Sequence, residues 1–328
     1  MNFALQRHGN PADLNLQAAP LLGGLENVGV FKVALTWTGT SGQLCSDTFV
    51  VKRTVNSTTR ELAIWKELAG TLAASKMPML YGAEWLGPRE LYIYEEFVRQ
   101  DDPWPWRNNS ASVAVLKALA DVHNAFLHRD DSLPRWDYEA ELLDSAQATV
   151  ELFASAVYSG ITLGDRPMLR ALERVVTTLP VMRTVLKSWC PLTLLHGDIH
   201  AGNAAVRYDQ GGFSGVLLDW GRARFGSPLE DVSSWLQSVG YWEPEVKRRH
   251  DTLFRSYLRF RHLPDHLSPE LRELYWIAAA CNAMAGALRY HLSLMLDSER
   301  SDDERSGAFR ALQDWLRIVR RADICWRN

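Results

Sequence analysis

Hydrophobic positions change their period along this chain, and the change divides it. Phe31, Val33, Leu35 and Trp37 alternate along one face, the period of a half-buried strand, up to a turn across 39–42. A β-rich run follows over 48–53. Two more strand-like runs, 79–86 and 90–98, are joined at Gly87 and Pro88 and predict a hairpin. Between the 48–53 run and this hairpin, Leu62, Ile64, Trp65 and Leu68 recur at helical spacing over 57–70, with Ser57, Thr58 or Thr59 as the cap. The polar stretch up to about Pro20 predicts irregular chain. Pro103 and Pro105 exclude a helix interior over 99–106 and set a division near residue 100.

Beyond that division the period is mostly helical. Val115, Leu119, Val122 and Phe126 predict a helix over 111–127, and further helices are expected over 138–158, 166–178, 181–189, 244–261, 269–296 and 304–321. The exception is 192–220, where a buried strand over 192–195 precedes two short strands around a turn at 209–212. The expected fold is α+β: a small antiparallel sheet with one helix over 1–100, then a larger, mainly helical part over 101–328.

Composition narrows the class of protein. With 328 residues, 47% of them hydrophobic, the chain can bury a large core. A net charge of -3 gives no general attraction to nucleic acid or to an anionic membrane. Cys45, Cys190, Cys281 and Cys325 are far apart and suggest neither a zinc site nor a disulfide framework, which fits a reduced cytoplasmic setting. The apolar stretch 275–288 contains Asn282 and is too short to span a bilayer, and the N-terminus lacks a basic segment followed by an apolar core, so no export signal is expected.

The chemistry concentrates in Leu194 to Trp220. Asp198 and Asn203 lie in a polar loop after one strand, and Asp219 ends another. Any one of them could cap a turn. Together, two carboxylates and an amide at strand ends suit phosphoryl transfer, which needs positioning and charge neutralisation more than covalent chemistry. Asp198 would orient an attacking hydroxyl and accept its proton. Asn203 and Asp219 would hold Mg²⁺ on the phosphates.

His196-Gly197-Asp198, Asn203 and Asp219-Trp220 resemble the catalytic and metal-binding signatures of the aminoglycoside phosphotransferase and choline kinase-like family, small-molecule relatives of protein kinases. Two departures from the protein-kinase form stand out: Gly197 replaces an arginine and Trp220 a phenylalanine. The resemblance runs from about Leu21 to Val232 and implies a two-lobe kinase-like fold using ATP and Mg²⁺. It places Gly23 and Gly24 in a nucleotide-covering loop, where glycine lets backbone N–H groups approach phosphate. Lys52 is the candidate for the α- and β-phosphates, as a compact charge on a flexible stem. The resemblance pairs it with Glu61 and puts 92–98 at the hinge, where the backbone at Glu96 and Val98 would meet the adenine edge. His123 is expected as a packed core histidine, and Asp231 as a brace. No long activation segment or Ala-Pro-Glu signature follows Asp219, which disfavours a polypeptide substrate.

The expected acceptor is therefore a hydroxyl on a small molecule, with aminoglycosides, amino sugars and sugars ahead of choline-like amino alcohols. The acidic stretch 297–304 would suit a polycation if it lined the pocket. Tyr241, Trp242, Tyr275 and Trp276 would suit a quaternary amine if they formed a cage. A solvated loop and core aromatics are the plainer expectation for both. The alternative from another class is a nucleotide-binding pseudokinase regulator, against which stand the intact Lys52, Asp198, Asn203 and Asp219.

Overall fold

The computed structural model describes residues 13–21, 29–39, 41–55, 60–87, 90–127, 133–134, 136–160, 166–209 and 211–327. Five strands, β1 (Asn15–Leu21), β2 (Gly29–Thr38), β3 (Leu44–Val55), β4 (Leu80–Trp85) and β5 (Glu90–Glu96), form one antiparallel sheet in the order β1-β2-β3-β5-β4. The alternation read in β2 is real, and its apolar side faces away from the site. Val33 pairs with Phe49 and Phe31 with Val51, and this face closes its own small core with Leu35 and Tyr94. The opposite face carries Val50, Lys52, Ile93 and Glu95, because Val50 pairs with Glu95 and Lys52 with Ile93.

The first departure from expectation is β1, which is a strand where irregular chain was expected. All seven of its residues are exposed, so no buried face imposes an alternating pattern on the sequence. Pro20 is tolerated because β1 is the sheet edge.

Helix α1 (Arg60–Leu68) follows β3 and buries Ile64, Trp65 and Leu68. The proposed cap residues Ser57, Thr58 and Thr59 lie outside the described residues, as does Pro88 of the hairpin turn. Arg60, only 3% exposed, joins α1 to the helical part. It donates to the carbonyls of Ala223 (3.1 Å) and Pro134 (2.9 Å), and its guanidinium lies 4.8 Å from the Trp136 ring centre.

The larger lobe holds α2 (Asn109–Ala125), α3 (Tyr138–Tyr158), α4 (Arg166–Ser188), α5 (Leu229–Trp242), α6 (Pro244–Phe260), α7 (Pro269–Asn282), α8 (Leu288–Leu296) and α9 (Asp302–Arg327). Two strand pairs are inserted among them: β6 (Thr193–Leu195) with β9 (Arg224–Gly226), and β7 (Ala204–Asp209) with β8 (Gly212–Leu217). Both pairs sit on α2, and β8 comes so close that a Cβ on Gly215 would lie 2.5 Å from the Ala114 carbonyl oxygen. Trp106 is buried edge-on against Trp235 at 4.8 Å, so it packs the core.

Two helices differ from the periodicity. Residues 166–178 and 181–189 form one helix, α4, that runs through Pro180. An interior proline costs about 3 kcal/mol, but Leu179 and Met182 on either side are both buried, and keeping that face in the core favours continuity. Conversely, 269–296 is not one helix. A π-helical turn at Ala283–Ala287 separates α7 from α8, with Gly286 at φ 155°, a conformation closed to L side chains. Among the described residues no helix is long and apolar enough to cross a membrane.

Candidate active site

The loop between β6 and β7 is held from below by one face of α5. Asp231 accepts hydrogen bonds from the backbone N–H of His196 (2.7 Å) and of Gly197 (2.9 Å). Ser234 donates to the Ile199 carbonyl (2.7 Å), and Ser238 accepts from the Ala201 N–H (2.9 Å). Positions 231, 234 and 238 share a helix face, so one rigid element fixes the loop at three points. Asp231 is itself clamped. His123, fully buried, meets it through Nε2 at 3.2 Å and meets the Tyr257 hydroxyl through Nδ1 at 2.7 Å. Burial would raise the Asp231 pKa, but the bonds to His123 and the loop N–H groups outweigh it and hold it below the usual range.

His196 sits under the loop. Burial keeps its pKa down, and the neutral Nε2–H tautomer suits both contacts: Nε2 donates to the Leu218 carbonyl (2.7 Å) and Nδ1 accepts from the Asp198 N–H (3.3 Å). The imidazole thus ties the end of β8 to the β6–β7 loop, and the Trp220 ring packs against it at a tilt, 4.8 Å between centres.

Gly197 explains the first departure from the protein-kinase pattern. Its φ is +83°, and a Cβ there would lie 2.1 Å from the Arg222 carbonyl oxygen and 2.5 Å from Arg224 Nη1. No side chain fits. Arg224 instead donates to the Gly197 carbonyl (3.1 Å) while paired with Glu230 at 2.7 Å. Glu230 is also paired with Arg183 (2.8 Å), and the Arg224 guanidinium lies 3.8 Å from the Tyr138 ring centre. The predicted result of Gly197→Ala is a loss of at least about 1–3 kcal/mol of stability, the usual cost of forcing a residue into a disfavoured backbone region. A lower urea midpoint would report it; an unchanged midpoint would show that the Arg222 backbone can move aside.

This scaffold presents the three residues expected from the sequence. Asp198 is exposed. Asn203 Nδ2 donates to the Asp198 carbonyl (2.9 Å) and approaches Asp198 Oδ2 at 3.4 Å. The Asn203 carbonyl accepts from the Leu218 N–H (2.8 Å), which brings Asn203 beside Asp219. Asp219 has φ +62°, an uncommon left-handed conformation that Asp tolerates better than most residues. With Nδ2 used inside the loop, Oδ1 is the acceptor that the Asn203 amide has left to offer a metal, as the carboxylate is for Asp219. Hard oxygen donors of this kind fit Mg²⁺. Among the described residues no three His, Cys, Asp or Glu side chains converge to hold a metal alone, so phosphate oxygens would have to complete the coordination.

In the small lobe, Lys52 Nζ lies 2.7 Å from Glu61 Oε1, and both side chains are buried. The structure adds a residue that the sequence reading missed: Glu95 Oε1, 3.0 Å from the same ammonium. Burial lowers the Lys52 pKa, but Glu61, Glu95 and Asp219 more than reverse this and keep it charged. Glu96 occupies the strand end, where its carboxylate pairs with Arg207 (2.6 Å) and its N–H donates to the Met79 carbonyl (2.8 Å). Val98 follows, half-buried, in chain without regular structure. Gly23 and Gly24 lie outside the described residues.

A cavity of about 770 Å³ opens between α3 and the π turn, lined by Trp136, Asp137, Glu141 and Asp144 with Arg289 opposite. Arg222 connects it to the β6–β7 loop. Its guanidinium pairs with Glu141 (2.6 Å) and stacks on Trp136 (4.9 Å), while its carbonyl lies against Gly197. The acidic stretch 297–304 is exposed and paired largely within itself, through Arg300 to Asp297 (3.4 Å) and Glu304 (3.3 Å). Tyr275 is a core residue whose hydroxyl bonds Gln237 and His250, and Trp276 lies under Arg321 at 5.3 Å. The Tyr241 hydroxyl donates to the Gly307 carbonyl, and the Trp242 side chain lies outside the described residues.

The fold is similar to that of Plasmodium vivax ethanolamine kinase, with a TM-score of 0.60 at 15% identity over 94% of this chain and 84% of that one. It is also similar to an aminoglycoside phosphotransferase from Alicyclobacillus acidocaldarius, with a TM-score of 0.58 at 14% identity over 98% and 95%. An amicoumacin kinase solved with AMP-PNP and Ca²⁺ aligns with a TM-score of 0.56 at 16% identity over 92% and 88%. These likenesses establish the two-lobe kinase-like fold. No curated relative matches the sequence. A model of the phosphotransferase enzyme family, however, matches residues 20–267. A match over most of the chain, in a fold shared with small-molecule kinases, makes this protein a member of the phosphotransferase enzyme family.

Proposed function

We propose that the protein moves the γ-phosphoryl group of ATP to a hydroxyl of a small amine-bearing molecule, an aminoglycoside or amino sugar before a plain sugar. The observation that carries the reading is the pairing of two separate constructions: a buried Lys52–Glu61 ion pair in the sheet lobe and the Asp198, Asn203 and Asp219 loop in the helical lobe. Residues 1–100 form the nucleotide lobe and 101–328 the catalytic lobe. Lys52 neutralises phosphate charge from the sheet side. Asn203 and Asp219 hold Mg²⁺, which supplies charge neutralisation on the triphosphate when bound. Asp198 accepts the proton of the attacking hydroxyl. Glu96 and Val98 meet the base.

The preference for an amine-bearing acceptor rests on the cavity beside Arg222, where Asp137 and Asp144 outnumber Arg289 once Glu141 is paired with Arg222. An aromatic cage for a choline-like group has less support. Arg60 and Arg222 already lie against the Trp136 ring, at 4.8 and 4.9 Å, and Tyr275 is buried with its hydroxyl bonded. The four free cysteines support a cytoplasmic location.

The test is an ATP-consumption screen with Mg²⁺ against aminoglycosides, sugars, amino sugars and amino alcohols, with Lys52→Ala run in parallel. Wild type is expected to consume ATP with an amine-bearing acceptor, and Lys52→Ala to lose about tenfold or more in nucleotide affinity or turnover, as for a charge-assisted bond. Unchanged kinetics in Lys52→Ala would remove that assignment. Nucleotide binding without turnover of any acceptor would favour a regulator instead.

A further inference from the structure

Two glutamates stand side by side at the end of β5, and the strand register sends them to opposite faces. Glu96 pairs with Arg207. Glu95, opposite Val50, shares the face of Lys52. The Lys52 ammonium therefore has a carboxylate on each of two elements: Glu61 on α1 at 2.7 Å and Glu95 on β5 at 3.0 Å. Lys52, Glu61 and Glu95 are 5%, 7% and 4% exposed, so water screens none of these contacts well.

The two carboxylates differ in what fixes them. Glu61 reaches Lys52 from a helix that packs against the sheet by side chains. Glu95 belongs to the strand hydrogen-bonded directly to β3, so the ladder sets its distance from the lysine.

We propose that Glu95 is a second positioning residue for Lys52, holding the ammonium from the sheet as Glu61 holds it from the helix. This deepens the ATP-dependent reading and rests on it. It also carries an electrostatic consequence. One ammonium faces Glu61, Glu95 and the nearby Asp219, so the cluster is net negative where a triphosphate must arrive. Burial pushes Glu95 up to about 7 against the opposing pull of Lys52, with Glu61 and Asp219 adding to the rise. A nucleotide drawing on the same ammonium favours the protonated form of Glu95, so binding takes up a proton.

The experiment is calorimetric titration of Mg-AMP-PNP into wild type, Lys52→Ala, Glu61→Gln, Glu95→Gln and the double variant Glu61→Gln/Glu95→Gln. Either acid alone keeps the lysine aimed. Each single glutamine change is therefore expected to weaken binding only a few-fold, and the double change to approach the loss in Lys52→Ala, beyond the product of the singles. Wild-type affinity is expected to fall between about pH 6 and pH 8 as the Glu95 proton is lost, and Glu95→Gln to flatten that profile. A purely structural residue would leave the profile unchanged. If the double variant does not fold, the pH profile of Glu95→Gln decides alone. A double variant no weaker than Glu61→Gln, or a profile that Glu95→Gln leaves unchanged, overturns the role of Glu95 provided Lys52→Ala still loses affinity. Full affinity in Lys52→Ala would overturn the nucleotide reading itself.

Discussion

Turnover of Asp198→Asn is expected to fall about 10²–10⁴-fold, the range for losing a general base, while Mg-ATP affinity stays within a few-fold of wild type. The separation follows from how the loop is built. The Asp198 backbone does the structural work, with its N–H on His196 and its carbonyl on Asn203, and both bonds survive the change. The side chain is exposed, and asparagine keeps its size while removing its basicity. Measuring affinity by calorimetry and turnover with an acceptor from the screen tests the two halves together. Turnover near the wild-type value would sink the base assignment. Loss of turnover and binding together would mean that Asp198 holds the loop or the metal.

Asp219→Ala should show the other large effect, near-complete loss of Mg²⁺-supported turnover, because the triphosphate charge then lacks its main anchor to the protein. Alanine also adds a backbone penalty at φ +62°. Asp219→Asn separates the two causes, since asparagine tolerates the left-handed region but carries no charge. Both variants are expected to fail at ordinary Mg²⁺ concentrations, with Asp219→Asn recovering in part as Mg²⁺ is raised. Full activity in Asp219→Asn would show that another acid holds the metal.

The core of the site was legible because it lies in one stretch of sequence. Asp198, Asn203 and Asp219 fall within 22 residues and are presented by strands whose apolar runs are unmistakable. What escaped was set by register or by distant packing. Glu95 and Glu96 are adjacent in sequence, and only the β3–β5 pairing decides which of them faces Lys52. Ser234 and Ser238 brace the loop from α5, and only tertiary packing brings that helix under it. Arg224 answers a glycine 27 residues earlier. A signal for it was present: the position of Gly197, where an arginine is usual in protein kinases, implied a close approach by something else. In the fold, β1 was hidden because an exposed edge needs no pattern. The continuity of α4 through Pro180 was hidden because packing overrode a local preference.

Arg60 has a mechanical consequence. Its bonds to Ala223 and Pro134, and its stacking on Trp136, fasten the first turn of α1 to the helical lobe although the chain places that helix among the strands. A rigid swing of the sheet about the 97–104 connection would therefore leave α1 behind. The sliding surface runs between Lys52, which travels with the sheet, and Glu61, which stays with the helices. Such a swing would be a shear across the Lys52–Glu61 pair, with the Glu96–Arg207 pair beside the pivot.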